Sequence, residues 1–407
     1  MKIIIVGINY RPELTGIGIY TSEMSEWLAA RGHEVRVITA PPYYPSWKIG
    51  AGYRSYRYHT ENINNVVVYR CPLWVPHKIT GYSRIFHLMS FAISCIPVFF
   101  ALRNWCPGVV INIAPAIFSA PLAHLFARFS GAGSWLHIHD FELDMAMSLG
   151  IIKIQTLRKF AIKVEKSIIK RFEKVSTISC RMITKLKEKN VAESKIVCLP
   201  NWVNTNKIYP THEPNQLRSK LAISGDKLIA LYSGSMGKKQ GLDTIIQCAR
   251  NLTKNQKIQF LLCGEGMEQP RIEALAKNLP NITMVPLQPT EKVNELLNAA
   301  DIHLLPQGQG ADGLAMPSKL GGMLASGKPV IATVRPDSEI ADVIKACGII
   351  VPPGNSAALT EAIVALSLDD EKRSAYGDQA RATAVKLFDK ERIMSAMETS
   401  LYSFLAN

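Results

Sequence analysis

At 407 residues the chain is too long for one ordinary core, so two domains are expected, and 47% hydrophobic with 20% charged residues excludes a disordered protein. The net charge of +14 is lopsided: residues 1–200 hold 25 Lys and Arg against 12 Asp and Glu, a net of +13, whereas 201–407 hold 22 against 21. One half therefore needs an anionic partner, and nucleic acid or an acidic membrane surface would serve.

The chain opens on an apolar run, KIIIVGINY, followed by a glycine pair in LTGIGIYTSEM and a helical pattern. A dinucleotide fold needs G-x-G-x-x-G there and an acidic residue about 20 positions on. Gly16-Ile-Gly18-Ile-Tyr-Thr21 lacks the third glycine, and the next strand, Val35 to Ile38, runs into Thr39-Ala40-Pro41 with no carboxylate. No Gly-Lys-Ser/Thr follows, so the loop is not a Walker loop. Gly16 and Gly18 suit either close backbone approach to an anion at a helix N-terminus or a plain strand-to-helix turn.

The runs EVRVITA, NVVVYRC, GVVINIA, GSWLHIHD and KVSTIS alternate with helical patterns, the signature of a parallel sheet covered on both faces. Between Arg84 and Arg103 lie 18 residues, of which only His87, Ser90 and Ser94 are not apolar. As a helix this stretch would rise about 27 Å, just short of a bilayer core. With Pro97 inside it, it reads as a buried helix, one that exposes an apolar face (Phe91 included) to lipid, or a span. In WLHIHD, His137 and His139 point to one side of a strand. Lys159, Lys163, Lys166 and Lys170 recur at helical spacing opposite Leu157, Ala161, Val164, Ile168 and Phe172, a basic amphipathic helix.

Near residue 200 the Asn- and Pro-rich IVCLPNWVNTNKIYPTHEP reads as a linker. Alternation resumes with KLIALYSG, IQFLLCGEG, ITMVPLQ, DIHLLPQ, KPVIATV and GIIVPP. The expected domains are 1–205 and 206–385, with 386–407 a C-terminal helix that finishes the second or crosses back to the first. The eight cysteines show neither a CxxC pair nor metal spacing, and no leader pattern precedes the strand at Lys2, which together suggest a cytosolic chain.

PELTGIGIYTSEMSEWLAARGHEVRVIT, with Gly32-His33-Glu34-Val35 entering the second strand, resembles the first β-α-β unit of GT-B glycosyltransferases of the GT4 family. VSTISCRMITKLKEKNVAESKIVCLPNWVN, SGSMGKKQGLDTII, LLCGEG and KPVIATVRPDSEIADVIKACGIIVPPGNSAALTEAI continue the likeness in order along nearly the whole chain. The pattern is especially similar to enzymes of colanic-acid-type exopolysaccharide synthesis.

The resemblance implies two Rossmann-like doubly wound domains facing across a cleft, the first for the acceptor and the second for a nucleotide-sugar, with no metal. It implies donor contacts from Gly16, Gly18, Gly234, Ser235, Lys238, Lys239, Gly264, Glu265, Ser318, Lys319 and Leu320. Arg and Lys usually stand in the first loop of the second domain; strict spacing puts Ser235 and Gln240 there, leaving Lys238 and Lys239 as the cations. The two glutamates usual in the family fall on Leu314 and Gly322, so their roles do not carry over, and Asp312 is the nearest substitute. His139 and Asp140 match a strand-end pair beside the transferred sugar.

The implied acceptor is an undecaprenyl-type lipid-linked saccharide. Lys159, Lys163, Lys166, Lys170 and Phe91 would face an anionic membrane on its cytoplasmic side. An epimerase of the same fold and a catalytically impaired membrane-bound relative are the alternatives. No aromatic-basic interleaving marks a nucleic-acid binder.

Overall fold

The computed structural model describes residues 1–13, 16–115, 117–141, 155–211, 213–308 and 316–405. The chain divides into two compact units, 1–200 together with 394–407, and 201–393.

In the first unit the strands are β1 (Lys2–Val6), β2 (Glu34–Thr39), β3 (His59–Ile63), β4 (Val66–Arg70), β5 (Val109–Ala114), β6 (Gly133–Ile138), β7 (Lys174–Thr177) and β8 (Ile196–Cys198). They form one sheet in the order β3-β4-β2-β1-β5-β6-β7-β8. Every pairing is parallel except β3 with β4. Near-continuous apolar runs such as KIIIV and VVINIA are what a sheet covered on both faces demands, and β5 is buried along its whole length. The β3–β4 hairpin was not visible in the sequence pattern, because β3 (HTENI) is polar and mostly exposed. Its turn is Asn64-Asn65, both with positive φ (49° and 64°), the conformation a two-residue hairpin requires.

The helices of this unit are α1 (Ile17–Ala30), α2 (Gly81–Ser94), α3 (Ile96–Leu102), α4 (Ala120–Phe129), α5 (Gln155–Arg171) and α6 (Cys180–Glu188). One layer, α2 to α4, shares a core with β1, β2 and β5: Phe91, Cys95, Phe99 and Phe126 pack with Ile4, Val6, Ile38 and Val110. Phe91 is fully buried, so it cannot be a lipid contact as the apolar run suggested; it is held inside by the sheet it covers.

The second unit repeats the plan. Its strands are β9 (Leu228–Ser233), β10 (Ile258–Cys263), β11 (Ile282–Val285), β12 (Ile302–Pro306), β13 (Val330–Thr333) and β14 (Gly348–Val351), all parallel. Their order, β11-β10-β9-β12-β13-β14, is the doubly wound one, which reverses direction between β9 and β12. The helices are α7 (Gln216–Lys220), α8 (Leu242–Asn251), α9 (Gln269–Ala276), α10 (Val293–Asn298), α11 (Ser318–Ala325), α12 (Glu339–Ile344), α13 (Ser356–Ser367) and α14 (Asp370–Phe388).

The last helix, α15 (Lys390–Leu405), begins in the second unit and joins the first from Met394 onward. There Met394, Met397 and Leu401 are buried. Glu398 accepts from Arg31 (3.1 Å) and pairs with the His33 ring (2.9 Å), and the Phe404 ring meets Trp135 edge-on at 6.3 Å. The seat for Phe404 is Gly133, where a Cβ would lie 2.3 Å from the ring.

Candidate active site

In an open parallel sheet, ligands bind beyond the carboxyl ends of the strands where the order reverses. In the second unit that point is the end of β9, and the sequence there is Tyr232-Ser233-Gly234-Ser235. Gly234 (φ 140°) has no side chain to fill the space above the strand, and Lys319, in the first turn of α11, occupies it. A Cβ on Gly234 would stand 3.2 Å from Lys319 Cδ and 3.4 Å from its Nζ.

The ammonium lies 4.1 Å from the centroid of the Tyr232 ring and has no hydrogen-bond partner among the described residues, although it is shielded from solvent. Burial lowers its pKa to about 7. Tyr232 does two things at once: its ring faces the cation, and its hydroxyl donates to the Ser235 carbonyl (2.6 Å), fixing the loop. No side chain caps the N-terminus of α11, whose dipole end lies beside Lys319.

The rest of the loop is stitched by backbone. Met236 is buried; its N–H donates to Glu265 O (2.8 Å), and its carbonyl accepts from Glu268 N–H (2.9 Å). A Cβ on Gly264 would fall 1.8 Å from Gly234 O, and one on Gly266 2.4 Å from Met236 O. Gly264 and Glu265 thus serve the loop's shape through their backbone, with the Glu265 side chain exposed. On the other side, Gly308 N–H donates to Lys239 O (2.8 Å), which fixes the backbone of the short turn Lys238–Gln240 while both lysine side chains stay exposed at its rim. Ser318 is exposed at the start of α11. Leu320 is a correction: its side chain is fully buried in the core and its N–H donates to Pro317 O (3.0 Å), so it offers a ligand nothing. Asp312 and Leu314 lie outside the described residues.

In the first unit the order reverses between β1 and β5; His139, just past β6, meets Tyr20 of α1, and Glu13 meets the Tyr43–Tyr44 loop. His139 is buried just past β6, its ring 4.4 Å from that of His137 and 5.9 Å from Tyr20. Asp140, half-buried, follows it. The Trp135 indole can only donate, and it donates to Ser176 Oγ (2.7 Å). The same Ser176 Oγ lies 2.8 Å from His137 Nδ1, joining the two rings through one hydroxyl. Burial, with the neighbouring His139, holds the His137 pKa well below its usual value, so His137 is neutral.

Glu13 was not singled out in the sequence, yet it organises this region. Its carboxylate accepts from the N–H groups of Tyr43 (2.9 Å) and Tyr44 (3.0 Å) and from Asn9 Nδ2 (2.9 Å). Burial pushes its pKa up against those bonds. Arg70, fully buried, donates to Glu61 (2.6 Å), Ala40 O (3.0 Å) and Arg11 O, tying the same loops. A Cβ on Gly18 would sit 3.0 Å from Glu13 Oε2, so Gly18 makes room for a carboxylate rather than forming an empty cradle for an anion. Gly16 (φ 71°) packs on the Tyr44 ring, 3.3 Å from where its Cβ would be. The opening glycines thus owe their place to packing.

Helix α5 has the expected lysines, with Lys159, Lys163 and Lys170 exposed and Lys166 half-buried, donating to Glu188 O (3.3 Å). Its buried side differs from the expected one. Phe172 is buried as expected, but Glu165 and Ile169 also face inward and Val164 is exposed; Glu165 is held inside by an ion pair with the buried Lys189. Among the described residues no group of three or more His, Cys, Asp or Glu gathers as a metal site.

Comparison with known proteins matches this geometry. Residues 15–202 fit the glycosyl transferase 4-like domain, and residues 214–383 fit the glycosyl transferases group 1 family. A relative described as "Putative colanic acid biosynthesis glycosyl transferase WcaI", from Escherichia coli (strain K12), is 38% identical over 404 residues, covering 97% of this chain and 98% of its own. Among solved structures, sucrose-phosphate synthase from Thermosynechococcus elongatus superposes with a TM-score of 0.79 at 19% identity, covering 100% of this chain and 99% of that one. HepE from Anabaena in complex with UDP-glucose gives 0.70 at 14% identity, covering 99% and 100%. The chain belongs to the GT4-type glycosyltransferases and has their GT-B architecture of two Rossmann-like α/β domains.

Proposed function

We propose that this glycosyltransferase moves a hexose from a UDP- or GDP-sugar to an undecaprenyl-type lipid-linked oligosaccharide in colanic-acid-type exopolysaccharide synthesis, at the cytoplasmic face of the plasma membrane. The buried ammonium of Lys319, without a hydrogen-bond partner among the described residues, carries this reading. A cation held without a partner is costly, and a diphosphate placed over Gly234 would relieve it. As the bond from the sugar C1 to the leaving phosphate breaks, negative charge grows on the nucleoside diphosphate. Lys319, the N-terminal end of α11 and the rim lysines Lys238 and Lys239 would meet that charge. They supply the positive charge themselves, so transfer, with retention at C1, is expected to survive EDTA.

His139, with Asp140 beside it, would hydrogen-bond the sugar or the acceptor hydroxyl. HepE was solved with UDP-glucose, which favours uridine for the donor base, and the likeness to WcaI favours the exopolysaccharide assignment. The net +13 of residues 1–200 and the exposed lysines of α5 favour an acceptor held at an anionic membrane.

Thermal shift with UDP, GDP, ADP and NAD⁺ tests the donor side. A ligand at 100 times its Kd adds about 2.7 kcal/mol of stability. One of UDP or GDP should raise the Tm of the wild type, weakly that of Lys239→Ala, and not that of Lys319→Met. An undiminished shift in Lys319→Met, or a response to NAD⁺ alone, would refute this donor site.

A further inference from the structure

Residues 62–139 contain five Lys and Arg and no Asp or Glu at all. Arg70 is buried; Lys78, Arg84, Arg103 and Arg128 are exposed, at or beside the ends of α2, α3 and α4. Between those cations the surface is apolar. Tyr82, Phe86, Met89 and Ile93 fall at spacings of four, three and four along α2, which is one helix face, and all four are exposed. Phe100 of α3 and Phe129 of α4 extend the surface, since Phe99 packs on Phe126 at 4.9 Å and joins those helices into one layer. Leaving Met89 aside, these residues are 61% to 85% exposed.

Helix α2 is thus apolar on both faces: Leu88, Phe91 and Ala92 serve the core, and the outward face serves nothing within the unit. The stretch 81–105 is long and apolar enough to cross a bilayer, but half of its apolar window is buried in the protein. A stretch half buried in its own unit does not read as a span. A second copy of the chain fits poorly, because a two-fold contact would set like charges against one another with no carboxylate between them.

We propose that the outward side of α2, α3 and α4 is a lipid-docking surface. Its aromatic and aliphatic side chains enter the headgroup boundary of an anionic bilayer, and the four flanking cations meet the lipid phosphates. This rests on the lipid-linked acceptor reading and names the surface that meets the membrane, which the lysines of α5 alone do not.

Full-length protein would be sedimented with vesicles of phosphatidylglycerol and phosphatidylethanolamine, and with phosphatidylcholine alone. The wild type should partition onto the anionic vesicles, and a measurable fraction should stay bound in 0.5 M NaCl. Phe86→Ser/Ile93→Ser, and separately Phe100→Ser/Phe129→Ser, should each lower partitioning at least tenfold while the nucleotide-induced thermal shift is kept. Lys159→Ala/Lys163→Ala should lower it less. Wild-type partitioning in both serine pairs, or complete release by salt, would overturn the proposal. So would a dimer that dissociates in the serine pairs without any vesicle binding. A wild type that binds vesicles but no sugar nucleotide would instead overturn the donor reading and leave this surface standing.

Discussion

At the scale of single residues, Lys319 is the group whose chemistry can be followed most closely. Its pKa is lowered from 10.5 to about 7 by burial, so between those values the unfolded chain carries the proton that the folded chain has lost. Below pH 7 the folded protein bears the full cost of a buried charge; as pH rises through 7 that cost is relieved, and stability gains until about 10.5. Lys319→Met removes the cost. It should therefore stabilise the ligand-free protein at pH 6 and much less at pH 9, as measured by urea denaturation at the two values. A bound diphosphate has the opposite preference, because it needs the protonated amine. Affinity for UDP or GDP should be flat below pH 7 and fall about tenfold per unit above it, while Lys319→Met binds weakly at every pH. Parallel titration curves for the two proteins would show that Lys319 does not meet the diphosphate.

At the scale of elements, the strands announced themselves because parallel strands buried on two faces must be apolar, and runs such as KIIIV, IALYS and IQFLLC have no other use. The polar edge strand β3 had no such signature; its one local mark was Asn64-Asn65. The site was legible where it hangs on backbone geometry, as in Gly234 and Gly264 after strands. It was less legible where it depends on which buried side chain meets which loop. Glu13 lies before the glycine pair as an ordinary acid until Tyr43 and Tyr44, some thirty residues on, donate to it. Tyr232 reads as a strand aromatic until Lys319 lies over it. The buried side of α5 is only partly legible, as at Phe172, because a buried Glu165 has the same letter as an exposed one and only its ion pair with Lys189 shows that it is inside. The seat of α15 shows the same dependence. Gly133 is small because Phe404, at the other end of the chain, needs the space. Gly133→Ala should cost about 1 to 3 kcal/mol by overpacking. In the background of Phe404→Ala the same change should cost markedly less, a coupling that a double-mutant cycle in urea would read. Additive losses would mean that the helix end does not press on β6.

At the scale of the molecule, the division into two units, each with its own sheet and core, separates what a ligand can stabilise. The groups assigned to the diphosphate all belong to residues 234–319, in the second unit, whereas five of the six tryptophans, Trp27, Trp47, Trp74, Trp105 and Trp135, belong to the first. Trp202 alone reports on the second. Tryptophan emission therefore follows mainly the unit that holds no donor group, while far-UV circular dichroism follows both. With separate cores, the heat-unfolding transition need not be a single event. A sugar nucleotide at 100 times its Kd should move the part of the dichroism transition that belongs to the second unit, by about 2.7 kcal/mol, and leave the main emission midpoint in place. In Trp202→Phe the emission curve should be blind to the ligand altogether. If the emission midpoint of Trp202→Phe moves with the dichroism, binding energy reaches the first unit too. The chain would then have to be treated as one cooperative body in its response to the donor, despite its two separate cores.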